Sequence, residues 1–296
     1  MRPSPRMNEP TVVTDAMLSD RWPLEPPDRE VTKNERGTVL VVGGSRSTPG
    51  AVLLAGIAAL RVGAGKLIVA TCEDYAGSLG VAMPEAGVVG LPTTEGGGLD
   101  PRAANNMTEL AKEADAVLFG PGMTEPTNTR TLVEDVLTSL DELPVIVLDA
   151  MAATSGVLDL GVEALGGRCV ITPNAAEVEY LLDDTRGDDH ELACQLAARY
   201  GVTAVYNNVV ATPDAGTLSV PKGNPGLATS GSGDVLAGAV AGIAARTADP
   251  LAAGLWGLAL HGAAGDRLAA RLGRVGFLAR ELLDELPQCL RALTSA

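Results

Sequence analysis

The sequence predicts an α/β protein of three layers, a mostly parallel central sheet covered by helices on both faces, and three observations carry that expectation. Short β-branched runs alternate with apolar helical segments across short loops, the pattern of strands joined by crossover helices. Hydrophobic residues make up 46% of the 296 but aromatics only 3%, so Ala, Val and Leu must fill the core, which suits helices packed closely on a sheet. No internal repeat or long polar linker interrupts residues 37 to 290. One domain over 37–296, preceded by a flexible arm over 1–36, is the expected organisation.

The arm carries Pro3, Pro5, Pro10, Pro23, Pro26 and Pro27 with mixed charges and no periodicity, which predicts a disordered start and an extended stretch. A short helix fits Thr14 to Ser19, with Trp22 as an anchor on the domain. Thr38–Val42 is a continuous β-branched run and reads as a buried strand. The glycine-rich loop Gly43–Gly50 follows and opens on a small apolar helix, Ala51–Val62. Such a loop places backbone N–H groups at the carboxyl edge of a parallel sheet, yet it lacks both GxGxxG and a P-loop GKS or GKT. Val88–Leu91 reads as a strand, Pro101–Glu113 as a helix, and Ala116–Phe119 as a strand running into the tight turn Gly120-Pro121-Gly122-Met123.

Thr127–Leu140 reads as a helix and Val145–Leu148 as a central strand ending at Asp149, a position commonly functional in open α/β sheets. Strand Val170–Thr172 leads through Pro173 and Asn174 into a helix reaching Leu182. Helix Glu191–Tyr200 and strand Thr203–Tyr206 follow. A long helix, Leu251–Leu272, contains Trp256, His261 and Asp266, and an amphipathic helix, Phe277–Leu286, closes the chain. His261, alone amid Leu, Ala and Gly, reads as a core or helix-face histidine; His190, beside Asp188 and Asp189, reads as solvated.

Composition excludes several functions. A net charge of −15 argues against nucleic acid or an anionic membrane surface as partner, because affinity there comes from Lys and Arg. The longest apolar stretches, Ala51–Leu60 and Val235–Ala245, fall short of the roughly 18 residues needed to span a bilayer. No signal-peptide pattern follows Met1, and a cytoplasmic location is expected. Cys72, Cys169, Cys194 and Cys289 have neither zinc-site spacing nor the density of a disulfide framework, and read as buried or inert thiols.

The densest functional signal is Gly223–Ala245, GNPGLATSGSGDVLAGAVAGIAA. Its first half is a loop of Gly, Pro, Asn, Ser and Thr, and its second is a small apolar helix free of charge or Pro until Arg246. Gly231 and Gly233 flank Ser232, so the backbone can approach an anion, and the free N–H groups of the first helical turn point at it. Asp234 sits at or just inside the helix start, where the dipole favours its ionised form. It fits two roles, a helix cap or a catalytic carboxylate beside an anion site.

These motifs resemble the ribokinase-like superfamily, and most closely the NAD(P)H-hydrate dehydratase family. The resemblance rests on GNPGLATSGSGD, on RVGAGKLIVAT at Arg61–Thr71 and on HGAAGDRLA at His261–Ala269. It implies a ribokinase-like α/β/α fold, Asp234 as catalytic base in contact with substrate, and Gly231, Ser232 and Gly233 as the nucleotide's anion hole. It also implies substrate contacts at Ala51, Gly122 and Asn174, and a nucleotide contact at Asn208, with no metal-ligating residue assigned. Three positions depart from the family. Met151 stands where LDAD has its second acid, Asn174 where TPHPGE has its His, and Asn208 near where LKGA has its Lys.

The implied activity is repair of hydrated nicotinamide cofactors by a carbon–oxygen lyase. ADP or ATP phosphorylates the added ring hydroxyl of NAD(P)H hydrate, and phosphate then leaves. Mg²⁺ held mainly by phosphates and waters is the implied metal, and a homotetramer the implied assembly. The same anion hole and base would serve a kinase of a small vitamin precursor or sugar. The neutral Met151, Asn174 and Asn208 also fit a nucleotide-binding protein without turnover.

Overall fold

In the computed structural model, which describes residues 10–24, 32–165, 167–214 and 216–295, a ten-stranded sheet is built around the β-branched runs. In chain order the elements begin β1 (Thr11–Val12), α1 (Asp15–Arg21), β2 (Thr38–Val42), α2 (Ala51–Arg61), β3 (Lys66–Cys72), α3 (Glu73–Ala82) and β4 (Gly87–Leu91). They continue with α4 (Ala104–Lys112), β5 (Ala116–Phe119), α5 (Pro126–Thr138), β6 (Val145–Leu148), α6 (Ala150–Thr154), α7 (Gly161–Leu165), β7 (Cys169–Ile171), α8 (Ala175–Leu181) and α9 (Asp189–Tyr200). Strands β8 (Thr203–Tyr206), β9 (Val209–Thr212) and β10 (Gly216–Ser219) precede α10 (Ser232–Thr247), α11 (Pro250–Leu272) and α12 (Ala279–Leu293).

The strand order is β1-β10-β9-β8-β7-β6-β5-β2-β3-β4, with every neighbouring pair parallel except β8–β9 and β9–β10. From β2 the chain winds outward to β3 and β4, then returns to β5 on the other side. The crevice between β2 and β5 is therefore the topological switch point where open α/β sheets bind ligands.

Period-two alternation divides the core. Val39, Val41, Val69, Leu118 and Val147 face one layer, formed by α2, α10, α11 and α12; Leu40, Val42, Ala70, Phe119 and Leu148 face the other, formed largely by α4, α5, α8 and α9. The central strands β2, β5, β6, β7 and β8 are thus buried on both faces, which is why their sequences read as unbroken apolar runs.

Several expectations need correction. Pro101–Ala103 forms a 3₁₀ turn ahead of α4, as the missing Pro donor and the Asp100 cap over Arg102 N favour. The last helix starts at Ala279 and runs through Pro287 to Leu293, two turns beyond the expected end. The hairpin β9–β10 and helix α3 go unsignalled by the pattern. The expected disordered start, residues 1–9, lies outside the described residues, as do 25–31. Thr11–Val12 instead pairs parallel with β10, and Val13 N donates to Ser219 O at 2.8 Å, covering the sheet's open edge. Trp22 is an anchor, through its carbonyl, which accepts Trp256 Nε1 at 2.7 Å. His190 is half-buried rather than solvated, and its Nδ1 is shielded without a hydrogen-bond partner.

Helices α10 and α2 pack backbone against backbone. A Cβ at Gly238 would collide with the Ala55 carbonyl and stand 2.6 Å from Ala55 Cα; one at Gly242 would stand 2.6 Å from Ala59 O. Gly238→Ala gains about 1 kcal/mol of helix propensity. Overpacking costs about 1–3 kcal/mol or more, and a clash with backbone cannot be relieved by a rotamer change. Net destabilisation of about 1–2 kcal/mol is expected, measured by urea denaturation. Unchanged stability would show that the two helices separate freely.

Candidate functional site

At the switch point the loop after β2 and the turn after β5 lock together. Gly44 N donates to Pro121 O at 2.8 Å, and the Thr48 hydroxyl donates to Gly122 O at 2.9 Å. Gly122 is left-handed (φ 68°), and a Cβ there would stand 2.9 Å from Ala51 Cβ, so Ala51 and Gly122 form one surface. The first turn of α2 also touches the start of α10, since a Cβ at Gly231 would lie 2.7 Å from Leu54 Cδ1.

Helix α10 begins at Ser232, after Gly231 in the left-handed region (φ 86°), and no side chain caps it. Asp234 is therefore the third residue of the first turn and not its cap. Among the described residues the backbone N–H groups of Gly231, Gly233 and Asp234 have no backbone acceptor, whereas Ser232 N donates to Thr229 O at 3.2 Å. Nothing lies within 4 Å of where a Cβ on Gly233 would point, and Gly233 is exposed, so there is open space beside these unpaired donors. That is an anion cradle of the kind helix N-termini provide. The Asp234 carboxylate, half-buried and without a hydrogen-bond partner among the described residues, is pushed up to about 6 by desolvation.

Asp149 ends β6 beside this cradle. Burial pushes it up to about 7; the negative Glu177 adds to the shift, the Thr172 hydroxyl donating at 2.8 Å opposes it, and Asp234 adds a further push. The next residue, Ala150, is held at φ 45°, an unfavourable conformation for a side-chain-bearing residue that costs about 1–3 kcal/mol. Strain of this kind gathers where surrounding structure fixes a functional strand end.

Asn174 caps α8. Its Oδ1 accepts from Ala176 N and Glu177 N at 2.9 and 3.1 Å, and its Nδ2 donates to Glu177 Oε1 at 2.7 Å. Glu177 completes the capping box and is held above its ordinary range, chiefly by burial. Sequence reasoning missed Glu177, although Asn-x-x-Glu before an apolar run is the signal of such a box. Asn208 lies in the β8–β9 turn, where its carbonyl accepts Val220 N at 2.8 Å; no described contact joins it to the cradle. Lys222, in the segment between β10 and the signature loop, is paired with Asp15 of α1 at 2.8 Å.

His261 is a core histidine, but not an idle one. It lies beneath the cradle with Nε2 at 2.9 Å from the Ser232 hydroxyl, and burial pushes it down to about 4, partly offset by hydrogen bonding to Ser232. The imidazole is neutral. Cys72, Cys169 and Cys289 are buried thiols, and Cys194 is partly exposed. Among the described residues no group of three or more His, Cys, Asp or Glu is placed to hold a metal ion, and no helix is long and apolar enough to cross a membrane.

A mostly parallel sheet with helices on both faces, and a helix N-terminus opening beside a strand-end carboxylate, define a ribokinase-like protein. A ribokinase-like superfamily protein from Enterococcus faecalis superposes with a TM-score of 0.81 at 24% identity, covering 100% of both chains. The model of the NAD(P)H-hydrate dehydratase family matches residues 39–288, and the chain belongs to that family. It is 42% identical to the ADP-dependent (S)-NAD(P)H-hydrate dehydratase of Xanthomonas campestris pv. campestris over 292 residues, 96% of each chain. The crystal structure of ADP/ATP-dependent NAD(P)H-hydrate dehydratase from Bacillus subtilis, co-crystallised with ATP/Mg²⁺, matches with a TM-score of 0.78 at 28% identity, covering 96% of this chain and 99% of that one.

Because Gly233 has an ordinary φ and open space before it, Gly233→Val should fold while placing two methyls in the cradle. Loss of one charge-assisted hydrogen bond, about 1.5–3 kcal/mol, predicts adenine-nucleotide affinity lower by about 10- to 100-fold in titration calorimetry. Wild-type affinity in the folded variant would move the phosphates elsewhere.

Proposed function

We propose that this chain carries out the nucleotide-dependent dehydration of (S)-NAD(P)H hydrate, restoring NAD(P)H. The observation that carries the proposal is the unpaired Asp234 carboxylate beside unpaired backbone donors at the start of α10. Family membership and the 42% identical ADP-dependent dehydratase support it.

In this reading Asp234 takes the proton of the ring hydroxyl as its oxygen bonds to the terminal phosphorus of ADP or ATP, and the bond from that phosphorus to the nucleotide's bridging oxygen breaks. The N–H groups of Gly231, Gly233 and Asp234 stabilise charge on the transferring group, with Ser232 holding the backbone between them. The phosphorylated ring then loses inorganic phosphate by carbon–oxygen cleavage while the neighbouring ring carbon gives up a proton, which leaves with the phosphate, so that the carbon–carbon double bond of NAD(P)H re-forms. Ala51, Gly122 and Asn174 border the hydrate, and Asn208 lies on the nucleotide side. Mg²⁺ carried on the nucleotide phosphates would neutralise their charge. A cytoplasmic homotetramer, with residues 37–296 as the catalytic domain and 1–36 as an arm, completes the proposal.

Asp234→Asn keeps size but cannot accept the proton. Turnover in an NADH-recovery assay should fall by about 10² to 10⁴-fold with nucleotide affinity equal or tighter, because a charge that repels phosphate is gone. Near-wild-type recovery would remove Asp234 from the mechanism.

The base must be ionised to act, and desolvation raises its pKa to about 6 from the ordinary 3.8. As pH falls through about 6 the carboxylate is protonated, so kcat/KM should decline there, two units above an ordinary Asp. A profile flat down to pH 5 would contradict this assignment.

A further inference from the structure

The run His261–Asp266 on α11, HGAAGD, meets the signature loop at four successive points. His261 Nε2 lies 2.9 Å from Ser232 Oγ. A Cβ at Gly262 would stand 2.8 Å from Lys222 Cβ, and one at Gly265 would stand 2.7 Å from Leu227 Cγ, so helix and loop touch with no room for side chains. Asp266 accepts Gly223 N at 2.9 Å through Oδ2 and Asn224 Nδ2 at 3.0 Å through Oδ1. Asn224 Oδ1 in turn accepts Gly226 N at 2.9 Å, fixing the 3₁₀ turn Pro225–Leu227.

The two polar ties differ in place. Asp266 holds the beginning of the loop, in an exposed setting. His261 holds its end, where both partners are buried and Ser232 is the first residue of α10. Both polar groups of Ser232 already have partners, its N–H bonding Thr229 O and its hydroxyl pairing with His261. Its side chain is therefore a tether between the left-handed Gly231 and the unhindered Gly233, which have no side chains to fix them. Ordering a freed backbone residue costs conformational entropy, so release of the tether would be felt by any anion that needs the loop ordered.

We propose that His261 is a positioning residue that, through the Ser232 hydroxyl, holds the backbone donors of the anion cradle in place, with Asp266 anchoring the loop's other end. This rests on the reading that the α10 N-terminus receives the nucleotide's transferring phosphate. A core histidine with no such part would affect stability alone.

The test compares Ser232→Ala, His261→Leu, His261→Gln and the Ser232→Ala/His261→Leu double variant for nucleotide KM, kcat and thermal midpoint. Ser232→Ala and His261→Leu should each raise nucleotide KM about tenfold, equivalent to ~1.4 kcal/mol, with a smaller change in kcat. The double variant should be no worse than the more affected single one, because both remove one interaction. Gln, whose amide both donates and accepts, should recover part of the loss. Wild-type KM in Ser232→Ala, or effects that multiply in the double variant, would overturn the proposal. Should His261→Leu fail to fold, Ser232→Ala, which deletes one oxygen, decides alone. Asp234→Asn in the same assay separates the two readings. If it abolishes turnover while Ser232→Ala is normal, only the positioning role fails; if it is active, the site reading fails and the positioning role with it.

Discussion

The structure depends on how closely α10 can lie between its neighbours. Gly238 and Gly242 let it rest against the backbone of α2, and Gly257 of α11 sits where a Cβ would come within 3.0 Å of Val240 Cα. Larger residues at these seams would push α10 outward, and its first turn would no longer meet the strand ends. The low aromatic content follows from the same constraint: three helices in near-backbone contact leave room for Ala, Gly and Val, while a bulky group such as Trp256 of α11 fills the space beside the seams. Packing density thus fixes where the unpaired N–H groups of Gly233 and Asp234 are delivered.

That placement creates an electrostatic conflict which gives the site its chemistry. Asp149, Glu177 and Asp234 are all raised, each mainly by desolvation, in a chain whose net charge is already −15. An acidic cleft that must admit phosphate cannot rely on a general cationic field. Its favourable terms are local: backbone donors and the helix dipole. The same burial that makes Asp234 a reluctant anion brings its pKa close to neutrality, where a general base works best.

Much of this was legible from the residues. The runs Thr38–Val42, Ala116–Phe119, Val145–Leu148 and Thr203–Tyr206 coincide with β2, β5, β6 and β8, because strands buried on both faces leave an unambiguous apolar signature. The glycines around Ser232 and the small helix after them marked the cradle for the same reason: few sequences need so little side chain. What escaped was set by partners distant in the chain. Thr11–Val12 is a strand only because β10 offers an open edge, and β10 exists only because the Asn207 turn, with φ 49°, folds β9 back on β8. His261 reads as core because its environment is apolar; its one side-chain hydrogen bond among the described residues reaches Ser232, 29 residues away. Spacing within α11 does not reveal that its Gly and Asp positions fit a loop.

The three departures from the family pattern have local explanations that leave the cradle intact. Asn at position 174 is among the best helix N-caps, and here it accepts two N–H groups of α8 while Glu177 closes the box; a His imidazole could not take both. Met151, partly buried, packs on the apolar cluster beneath α6, where a second carboxylate would add to the burden on Asp149. Asn208 follows a left-handed Asn207 whose amide donates to Asp189 at 3.0 Å, so the pair suits a tight turn ahead of β9. Each departure replaces a charged or imidazole side chain of the family pattern with a neutral one. The donors at Gly231, Gly233 and Asp234 belong to the backbone, and they are held by α2, by His261 and by Asp266, none of which these changes touch. A site whose central interactions are main-chain in origin can vary its rim and keep its geometry, and the fold then constrains the chemistry more tightly than the three side chains do.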